Sequence, residues 1–420
     1  MIDFLAEARL PLGQREDFEK NKDIEFAIQY GIAKYVDPYT TYIDRESVEK
    51  LEMDVSGSFT GIGVQIRRDW AKDALLVVTP IKGSPAYFAG LKAGDYIVKI
   101  IREFDSEGKK IDPPIETSTK GLKLSDAVKM ILGKPGTPVK ILVEREGWKD
   151  PKVFDIVRGK VDVESVLGWK RDSDDNWNWY IDPKNKIAYI HLTQFAGRSY
   201  IEMERAIKKL SADGVKGLIL DLRNNPGGYL DAAWKISDLF IDDGLIVTIK
   251  PRVGKEYTFH GRTEPSYTDF PMVCLVNGMS ASGSEILSAC LQDHNRAVIM
   301  GERSYGKGSV QNIAKFDVTG GEIKMTTATF WRPNGKNLNK ASTKGTEDED
   351  WGVRPDKNYT FKLEPNELLK LSETLRDWSN IPNRDLPEKK TTPAFKDRQL
   401  EAALNYLRDQ VKSTASDTNK

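Results

Sequence analysis

The chain has 420 residues, of which 39% are hydrophobic and 30% are charged. This length predicts two or three domains, and the composition is typical of a globular protein with apolar cores. Lysine plus arginine number 63 and aspartate plus glutamate number 63. A net charge of zero gives no electrostatic reason to expect a nucleic acid or an anionic membrane as partner.

Residues 1–55 are predicted to form an N-terminal helical region. The segment KDIEFAIQYGIAKYV, residues 22–36, has apolar residues at helical spacing and ends before Pro38. The first residues lack the basic start and uninterrupted apolar stretch of a signal peptide. No run of about 18 apolar residues predicts a transmembrane helix anywhere in the sequence.

Residues 56–160 predict one small α+β domain. GIGVQIRR (61–68) and ALLVVTP (74–80) have the β-rich composition of strands between charged and glycine-rich breaks. An amphipathic helix, a Gly/Pro turn and a strand follow in residues 124–146. The charges and prolines of IREFDSEGKKIDPPIETSTKG, residues 101–121, predict an extended loop beside this domain.

Residues 161–356 predict an α/β domain. From about residue 187 to 312, apolar strands alternate with helices, which indicates βαβ units and a largely parallel sheet. Residues 357–420 predict a C-terminal helical segment. Its helices are joined by the proline-rich NIPNRDLPEKKTTP (380–393), predicted to be mobile, and it ends in STASDTNK (413–420), predicted to be disordered.

The cysteines and histidines give no metal-binding pattern. Cys274 and Cys290 lie in apolar contexts and are predicted to be buried reduced thiols. His191, His260 and His294 are widely separated, and no Cys/His spacing typical of a zinc site occurs. We therefore expect neither a metal nor a cofactor.

The segment NGMSASGSEILSA, residues 277–289, places Ser280, Ser282 and Ser284 at a predicted strand-to-helix corner. Taken alone, these serines are typical of a helix N-cap. Downstream, GERSYGKGSVQ holds Lys307 between two glycines, after a predicted buried strand. Desolvation lowers the pKa of a lysine, and its neutral amine can then serve as general base to a serine, as in known Ser-Lys pairs.

Three motifs together resemble those of the carboxyl-terminal processing peptidases, PDZ-containing serine endopeptidases also called tail-specific proteases. SASGSEI is similar to the family's S-A-S-A-S-E, GERSYGKGSVQ to its G-E-x-(T/S)-(F/Y)-G-K-G-x-V-Q, and LILDLRNNPGG to its L-I-L-D-L-R-x-N-P-G-G. The resemblance extends over about residues 37–356. It implies that Ser282 is the nucleophile, that Lys307, 25 residues further on, is the general base, and that Gln311 helps to hold the lysine.

The resemblance also implies an oxyanion hole. Backbone N–H groups stabilise the negative charge that develops during acyl transfer. The implied donors are the N–H groups of Gly283 and Gly228. Gly283 stands where the family usually has alanine, so we expect a looser turn. A histidine is the less favoured base: the following helix carries His294 away from Ser282, whereas the position of His260 leaves that residue open.

A peptide-binding loop is implied in the first domain. SFTGIGVQI (58–66) resembles a PDZ carboxylate-binding loop that leads into a strand, with the N–H groups of Gly61, Ile62 and Gly63 as donors. An extended peptide would add to the strand edge, and successive N–H groups would receive its terminal carboxylate. The alternative, a PDZ fold that only packs and gates, stays open.

The resemblance implies a serine endopeptidase that recognises apolar C-terminal tails and cleaves through an acyl-enzyme. The implied fold is α/β, with a crotonase/ClpP-like catalytic core, an inserted PDZ-like α+β domain and helical N- and C-terminal segments. Its partners would be protein or peptide substrates with apolar C-termini, without nucleic acid, in the periplasm or cell envelope. A homo-oligomer or an activating partner stays open. The alternative function is a catalytically silent PDZ-containing peptide-binding scaffold or chaperone.

Overall fold

The computed structural model of the protein describes residues 31, 35–262, 266–316, 321–385 and 395–417. Most of the helix predicted over residues 22–36 lies outside the described residues, as do the end of the proline-rich connection and the last three residues of the chain.

The first part of the described chain is mostly β-structure. Its elements are β1 (Thr41–Ile43), α1 (Arg45–Ser56), β2 (Ser58–Gly61), β3 (Val64–Asp69), β4 (Ala74–Pro80), α2 (Pro85–Phe88), β5 (Tyr96–Phe104), β6 (Lys110–Ser118), α3 (Leu124–Ile131), β7 (Pro138–Glu144), β8 (Lys152–Val157) and β9 (Gly159–Asp162).

Residues 58–162 form a unit that we call the small sheet unit. Its antiparallel sheet has the order β3-β4-β5-β7-β8, with β6 paired to β5. Apolar side chains from these strands and from α2 and α3 form a hydrophobic core of their own. Strand β2 pairs with β9, so the chain enters and leaves the unit side by side. These strands and helices agree with the α+β pattern predicted for residues 56–160.

The extended loop predicted for residues 101–121 is wrong for most of that segment. Strand β5 continues to Phe104, and residues 110–118 return as β6, which pairs with β5 to make a hairpin. Among the described strands, β6 has one neighbour only, and such an edge strand tolerates prolines because one side of its backbone needs no ladder partner. Pro113 and Pro114 thus mark an edge strand.

The remaining elements alternate between strands and helices over much of their length. They are β10 (Val166–Leu167), β11 (Lys170–Arg171), β12 (Trp177–Asn178), β13 (Tyr180–Asp182), β14 (Ile187–Leu192), α4 (Ser199–Ala212), β15 (Gly217–Asp221), α5 (Leu230–Asp238), β16 (Leu245–Pro251), β17 (Tyr257–His260), β18 (Met272–Val276), α6 (Gly283–Asp293), β19 (Ala297–Gly301), β20 (Ser309–Phe316), β21 (Gly321–Trp331), a 3-10 turn (Lys340–Ser342), α7 (Pro365–Ser379) and α8 (Arg398–Asp417).

The central sheet consists of the parallel strands β14, β15, β18 and β19, in that order, with β10 and β13 antiparallel beside β14. Residues of α4, α5 and α6 share a hydrophobic core with one face, and residues of α8 cover the other. Burial on both faces explains why these strands are almost continuously apolar. The parallel sheet with helices confirms the predicted α/β class.

A second sheet lies beside the central one, in the order β1-β21-β16-β17, with β20 paired to β21. Strand β1 pairs with β21 from Thr41 to Ile43. This pairing fixes the segment before α1 to the sheet that also contains β20, the strand that follows Lys307 in the chain. Residues far apart in the chain therefore meet here.

The first residues of the connection predicted to be mobile have defined partners. Ile381 N donates to Thr79 Oγ1 (2.9 Å), Asn383 Nδ2 donates to Ala93 O (2.8 Å), and Asp385 pairs with Lys92. Residues 380–385 therefore anchor the end of α7 to the small sheet unit, whereas the rest of the predicted mobile connection lies outside the described residues. Helix α8 continues to residue 417, within the segment predicted to be disordered.

Candidate active site

Ser282 occupies a strained corner between β18 and α6. Its backbone angles, φ 54° and ψ −110°, lie in a region that residues other than glycine rarely adopt. A nucleophilic serine on a sharp strand-to-helix turn has its hydroxyl presented to substrate. The flanking serines fasten this turn, since Ser280 Oγ donates to Leu222 O (2.8 Å) and Ser284 Oγ donates to Asn225 O (2.9 Å). The strained corner distinguishes Ser282 from its two neighbours.

Lys307 lies under the ring of Tyr39. Its Nζ is 5.4 Å from the centre of that ring. Burial lowers the pKa of Lys307, the nearby Lys324 lowers it further, and Glu285 opposes the change. Burial, together with the neighbouring Tyr305, raises the pKa of Tyr39 to about 12, so its phenol is neutral near pH 7. The lysine therefore has an environment that favours the neutral amine.

The buried carboxylate of Glu285 joins the serine corner to the loop that carries Lys307. Glu285 Oε2 accepts hydrogen bonds from the backbone N–H groups of Ser282 (2.8 Å) and Lys307 (2.8 Å). Its Oε1 accepts from Ser304 Oγ (2.6 Å) and from Gly306 N (2.6 Å). Burial raises the pKa of Glu285, and these donors oppose that change.

The side chains of the predicted dyad are not in direct contact through a hydrogen bond. Over the residues that the structure describes, Ser282 Oγ and Lys307 Nζ share no hydrogen bond, and Nζ faces Tyr39 instead. Catalytic hydrogen bonds are often long in the absence of substrate. The two residues are brought together through their backbones, by way of Glu285.

Gln311 lies on β20, close to the same region. Its Nε2 donates to Ser309 Oγ (2.8 Å) and to Thr326 Oγ1 (3.4 Å). Thr326 Oγ1 in turn donates to Asp37 Oδ1 (2.8 Å). In the described structure Gln311 thus bonds to this network and not to Lys307, and its role as a holder of the lysine stays a prediction.

The predicted oxyanion donors lie around the same corner. Gly283 begins α6, and Gly228 forms an isolated bridge with Phe195. Within the described ranges, no backbone or side-chain acceptor takes the N–H of either glycine. A Cβ atom at Gly283 would lie 3.0 Å from Phe195 Cδ2 and 3.3 Å from Ala233 Cβ. Glycine at this position therefore makes room for the Phe195 ring.

Gly227 is a residue that the sequence analysis missed. A Cβ atom there would lie 2.7 Å from Ser282 Cβ and 2.9 Å from Gly283 N, and its φ is +98°. Both the contact and the backbone angle require glycine. The NNPGG turn therefore packs directly on the serine corner, with Gly227 as its point of contact.

We expect Gly227→Ala to lower kcat by about 100-fold, because the added methyl displaces the Ser282 side chain and a displacement of about 1 Å costs that much. The measurement is the rate of peptide hydrolysis. Gly254→Ala is the matched control, since Gly254 has a similar φ of +109° and no neighbour within 4 Å of an added Cβ. Equal activity of the two variants would contradict this packing argument.

The histidines that compete for the role of base have other partners. His191 is buried, its Nε2 lies 3.3 Å from Arg223 O, and burial lowers its pKa. His294 Nε2 lies 2.8 Å from Leu245 O. His260 lies at the end of β17, an edge strand of the second sheet. These positions favour Lys307 over a histidine as the base.

The predicted peptide loop borders an apolar groove. A cavity of about 370 Å³ lies between β3 and α3, lined by Ile62, Val64, Ile66, Val128 and Ile131 among others, and it also reaches Thr193, Gln194 and Ala196. Strand β3 is an edge strand of the small sheet unit, so its outer side can accept another strand.

The loop itself is closely packed. Ile62 is 1% exposed, and a Cβ atom at Gly63, whose φ is +78°, would lie 2.2 Å from Ser84 Cβ. Gly61 ends β2, where it pairs with Gly159. The N–H groups of Ile62 and Gly63 have no acceptor among the described residues, which leaves them available to a ligand.

The described residues contain no cluster of three or more His, Cys, Asp or Glu side chains that could hold a metal ion. Cys274 and Cys290 are free and buried, as predicted, and burial raises the pKa of both thiols. Across the described part of the chain, no helix has the length and apolar character needed to cross a bilayer.

Comparison with known proteins identifies the family. The model of peptidase family S41 matches residues 186–358. A carboxy-terminal-processing protease of Bartonella bacilliformis is 34% identical over 325 residues, which cover 76% of this chain and 68% of that protein. The chain belongs to the carboxy-terminal processing proteases of peptidase family S41.

A further relative agrees with this assignment. The carboxy-terminal processing protease CtpA of Bacillus subtilis is 35% identical over 328 residues, covering 78% of this chain and 64% of that protein. The solved structure of a photosystem II D1 C-terminal processing protease is 27% identical, with a TM-score of 0.45 and coverage of 86% of each chain. The family resemblance inferred from the three motifs is confirmed, and the protein is a serine-type peptidase.

In this S41 protease, the sequence analysis assigned no site role to Glu285. Glu285 lies in the first turn of α6, where a carboxylate complements the helix dipole. A Ser or Thr followed by Glu three residues later is a capping-box signal, and it was present in the sequence. The signal predicts the bond to Ser282 N, but not the bonds to the loop of Lys307.

Proposed function

We propose that this protein is a serine endopeptidase that binds the C-terminal tails of protein substrates and cleaves them with Ser282 as nucleophile and Lys307 as general base. The observation that carries the proposal is the juxtaposition of a strained serine corner and a desolvated lysine, whose backbones share one oxygen of Glu285.

The proposed reaction follows from these positions. The neutral amine of Lys307 turns from Tyr39 to Ser282 and takes the hydroxyl proton as Oγ attacks the substrate carbonyl. The N–H groups of Gly283 and Gly228 donate to the resulting oxyanion. The Lys307 ammonium then gives its proton to the leaving amine, and the C–N bond breaks to leave an acyl-enzyme on Ser282. Water, deprotonated by Lys307, attacks the ester and releases the serine.

Gln311 has a supporting role in this proposal. It lies four residues after the lysine, on the strand that begins at Ser309. To hold Lys307 Nζ, its amide turns away from the hydroxyls of Ser309 and Thr326. The network of Thr326 with Asp37 then remains as the support for Tyr39.

Substrate recognition is assigned to the small sheet unit, which we propose is a PDZ-like domain over residues 56–160. An extended tail pairs with the edge of β3, and its carboxylate accepts from the N–H groups of Ile62 and Gly63, with Gly61 before them. The apolar lining of the groove favours an apolar last residue. The proposed partners are therefore proteins or peptides with apolar C-termini.

The proposed organisation includes three further segments. They are an N-terminal helical region (1–55), a catalytic core of crotonase/ClpP-like fold (161–356) and a C-terminal helical segment (357–420). The central parallel sheet, covered on both faces, supports this arrangement of the core. We also propose an extracytoplasmic location, in the periplasm or cell envelope.

The tail-recognition proposal is tested with peptides that differ only in their last three residues and in amidation of the C-terminus. We expect hydrolysis to be at least about 10-fold faster for a free apolar C-terminus, because an amide or a charged residue loses the N–H and groove contacts. Val128→Asp, which places a charge in the groove, is expected to remove this preference. A rate independent of the C-terminus would refute tail recognition.

Val153→Asp is the matched control for this experiment. Val153 lies on β8, at the opposite edge of the same sheet from β3, and is 55% exposed. The charge is therefore added to the same unit without entering the groove, and the preference for an apolar tail should persist.

One observation favours the second candidate, a catalytically silent peptide-binding scaffold or chaperone: Lys307 Nζ faces Tyr39 instead of Ser282 in this structure. Labelling with a serine-directed phosphonate separates the two functions. The peptidase is expected to be labelled at Ser282, and Ser282→Ala is expected to remain unlabelled. A wild-type protein that resists labelling and hydrolyses no peptide would support the scaffold.

A further inference from the structure

We propose that Glu285 is a positioning residue of the peptidase, whose carboxylate sets the distance between the nucleophile and the base. The inference rests on the proposed function, in which Ser282 and Lys307 hold those roles. Glu285 touches neither substrate nor the reacting atoms. It acts through the backbones of the two residues that do.

The first argument is the arrangement of its hydrogen bonds. One oxygen, Oε2, is shared by the N–H groups of Ser282 and Lys307, both at 2.8 Å. The other, Oε1, takes Ser304 Oγ and Gly306 N, both at 2.6 Å. The three donors other than Ser282 belong to the loop between β19 and β20. The carboxylate therefore connects the start of α6 to the loop that carries the base.

The second argument is burial. Glu285 is 0% exposed, and buried carboxylates are rare unless their oxygens are paired. Here the donors are three backbone N–H groups and one hydroxyl, and among the described residues no ion pair neutralises the charge. Gly352 closes the pocket, since a Cβ atom there would lie 3.4 Å from Oε1. Four donors around one buried carboxylate indicate that the position of this carboxylate is important for the site.

The third argument is the chemistry of the donors. An ionised carboxylate only accepts hydrogen bonds, so each of its two oxygens can take two of the four donors. A glutamine side chain has one accepting oxygen, and its NH₂ would face two donors across the same pocket. A protonated glutamic acid has the same defect, because its O–H must point at an N–H group. The site therefore requires the ionised glutamate.

The fourth argument is strain at the nucleophile. Ser282 has φ 54°, and such backbone angles persist only where surrounding contacts enforce them. The bond from Ser282 N to Oε2 is one of these contacts. When the carboxylate is lost, we expect the corner to relax and Ser282 Oγ to move away from Lys307.

Among the described residues, the titratable groups that interact electrostatically with Glu285 are Lys307 and Tyr39. Tyr39 stays neutral well above pH 7, so the acid side of the pH profile depends on Glu285 and Lys307. Activity needs Glu285 ionised and Lys307 neutral, and both conditions fail as the pH falls. The acid limb is the part of the pH–rate profile in which the rate of hydrolysis falls as the pH falls. In wild type this limb should reflect two ionisations, whereas in Glu285→Gln it should reflect only that of Lys307.

The test compares wild type, Glu285→Gln and the control Glu302→Gln by peptide hydrolysis and by the rate of phosphonate labelling. Glu302 is a neighbouring glutamate whose Oε1 accepts from Leu363 N, away from the corner. We expect Glu285→Gln to lose about 100-fold in kcat and in labelling rate, with KM within about 2-fold of wild type, because the reacting groups are displaced while the peptide groove is intact. Glu302→Gln should match wild type. Unchanged kcat and labelling in Glu285→Gln would overturn the proposal.

A second variant covers the case in which Glu285→Gln does not fold. Ser304→Ala removes one of the four donors and keeps the carboxylate. A carboxylate that loses a hydrogen bond protonates at higher pH, so the acid limb is expected to move to higher pH. An acid limb identical to that of wild type would overturn the proposal.

Two reference variants separate this proposal from the proposed function. If Ser282→Ala and Lys307→Ala are inactive while Glu285→Gln equals wild type, only the positioning role is refuted. If Ser282→Ala keeps its activity, the nucleophile assignment is wrong and the positioning role is refuted with it.

Discussion

Lys307→Ala is expected to lower kcat for peptide hydrolysis by at least about 10⁴-fold, with little change in KM. The reason is that no other base faces Ser282 at this corner among the described residues: His191 and His294 bond to backbone carbonyls elsewhere. Lys307→Arg should be equally inactive, since a guanidinium stays protonated and cannot accept the serine proton. Steady-state kinetics on a tail peptide give both values.

The pH dependence of wild type follows from the same residue. Burial, and then Lys324, lower the pKa of Lys307, and the reaction needs the neutral amine. The rate therefore rises as the pH rises through this lowered pKa and falls below it. Lys324→Met removes the second cause, so its acid limb should move to higher pH. Lys336→Met, which changes an exposed lysine paired with Asp350, is the control. A limb that stays in place in Lys324→Met would argue against Lys307 as the titrating base.

Asp397→Ala is expected to lower the free energy of unfolding by about 1–3 kcal/mol, because it removes one of the two carboxylates that accept from the buried Arg223 guanidinium. Arg223 is 0% exposed and donates to Asp221 on β15, and to Asp397 and Gln399 at the start of α8. The C-terminal helix thus contributes to the support of the loop that contains the NNPGG turn.

Thermal and urea unfolding of Asp397→Ala give this value. Asp409→Ala is the matched control on the same helix, since Asp409 is exposed and pairs with the exposed Lys412, and such surface pairs contribute about 0–1 kcal/mol. Asp397→Ala should also lose activity, because Arg223 lies two residues before Asn225, whose Oδ1 accepts from Gly227 N. An Asp397→Ala protein as stable as Asp409→Ala would show that α8 docks independently of this network.

Local patterns in the sequence were enough to predict several parts of the protein. The alternation of apolar strands and helices predicted the parallel sheet, since strands buried on both faces must be apolar throughout. The three motifs predicted the family, which the relatives confirm. The candidate residues Ser282, Gly283 and Gly228 fall at one corner, because β15 and β18 are adjacent and parallel and their C-terminal ends meet at the same edge.

Other features depend on contacts between residues far apart in the chain. The prolines of residues 110–118 imitate a loop, and only pairing with β5 makes that segment a strand. Residues 380–385 look mobile in composition, yet the small sheet unit supplies their partners. Likewise, no local pattern places Tyr39 over Lys307, because β1 joins β21 across more than half the sequence.

The family, the α/β class and the candidate residues of a serine peptidase site could be predicted from the sequence, because these predictions depend on short-range periodicity and on motifs with fixed spacing. The tertiary structure decided how the site is held together. Glu285 bridges two loops, Gly227 packs on Ser282, and Asp397 reaches Arg223 from the C-terminal helix. Each of these contacts is specified by the packing of separate elements, which no single stretch of sequence encodes.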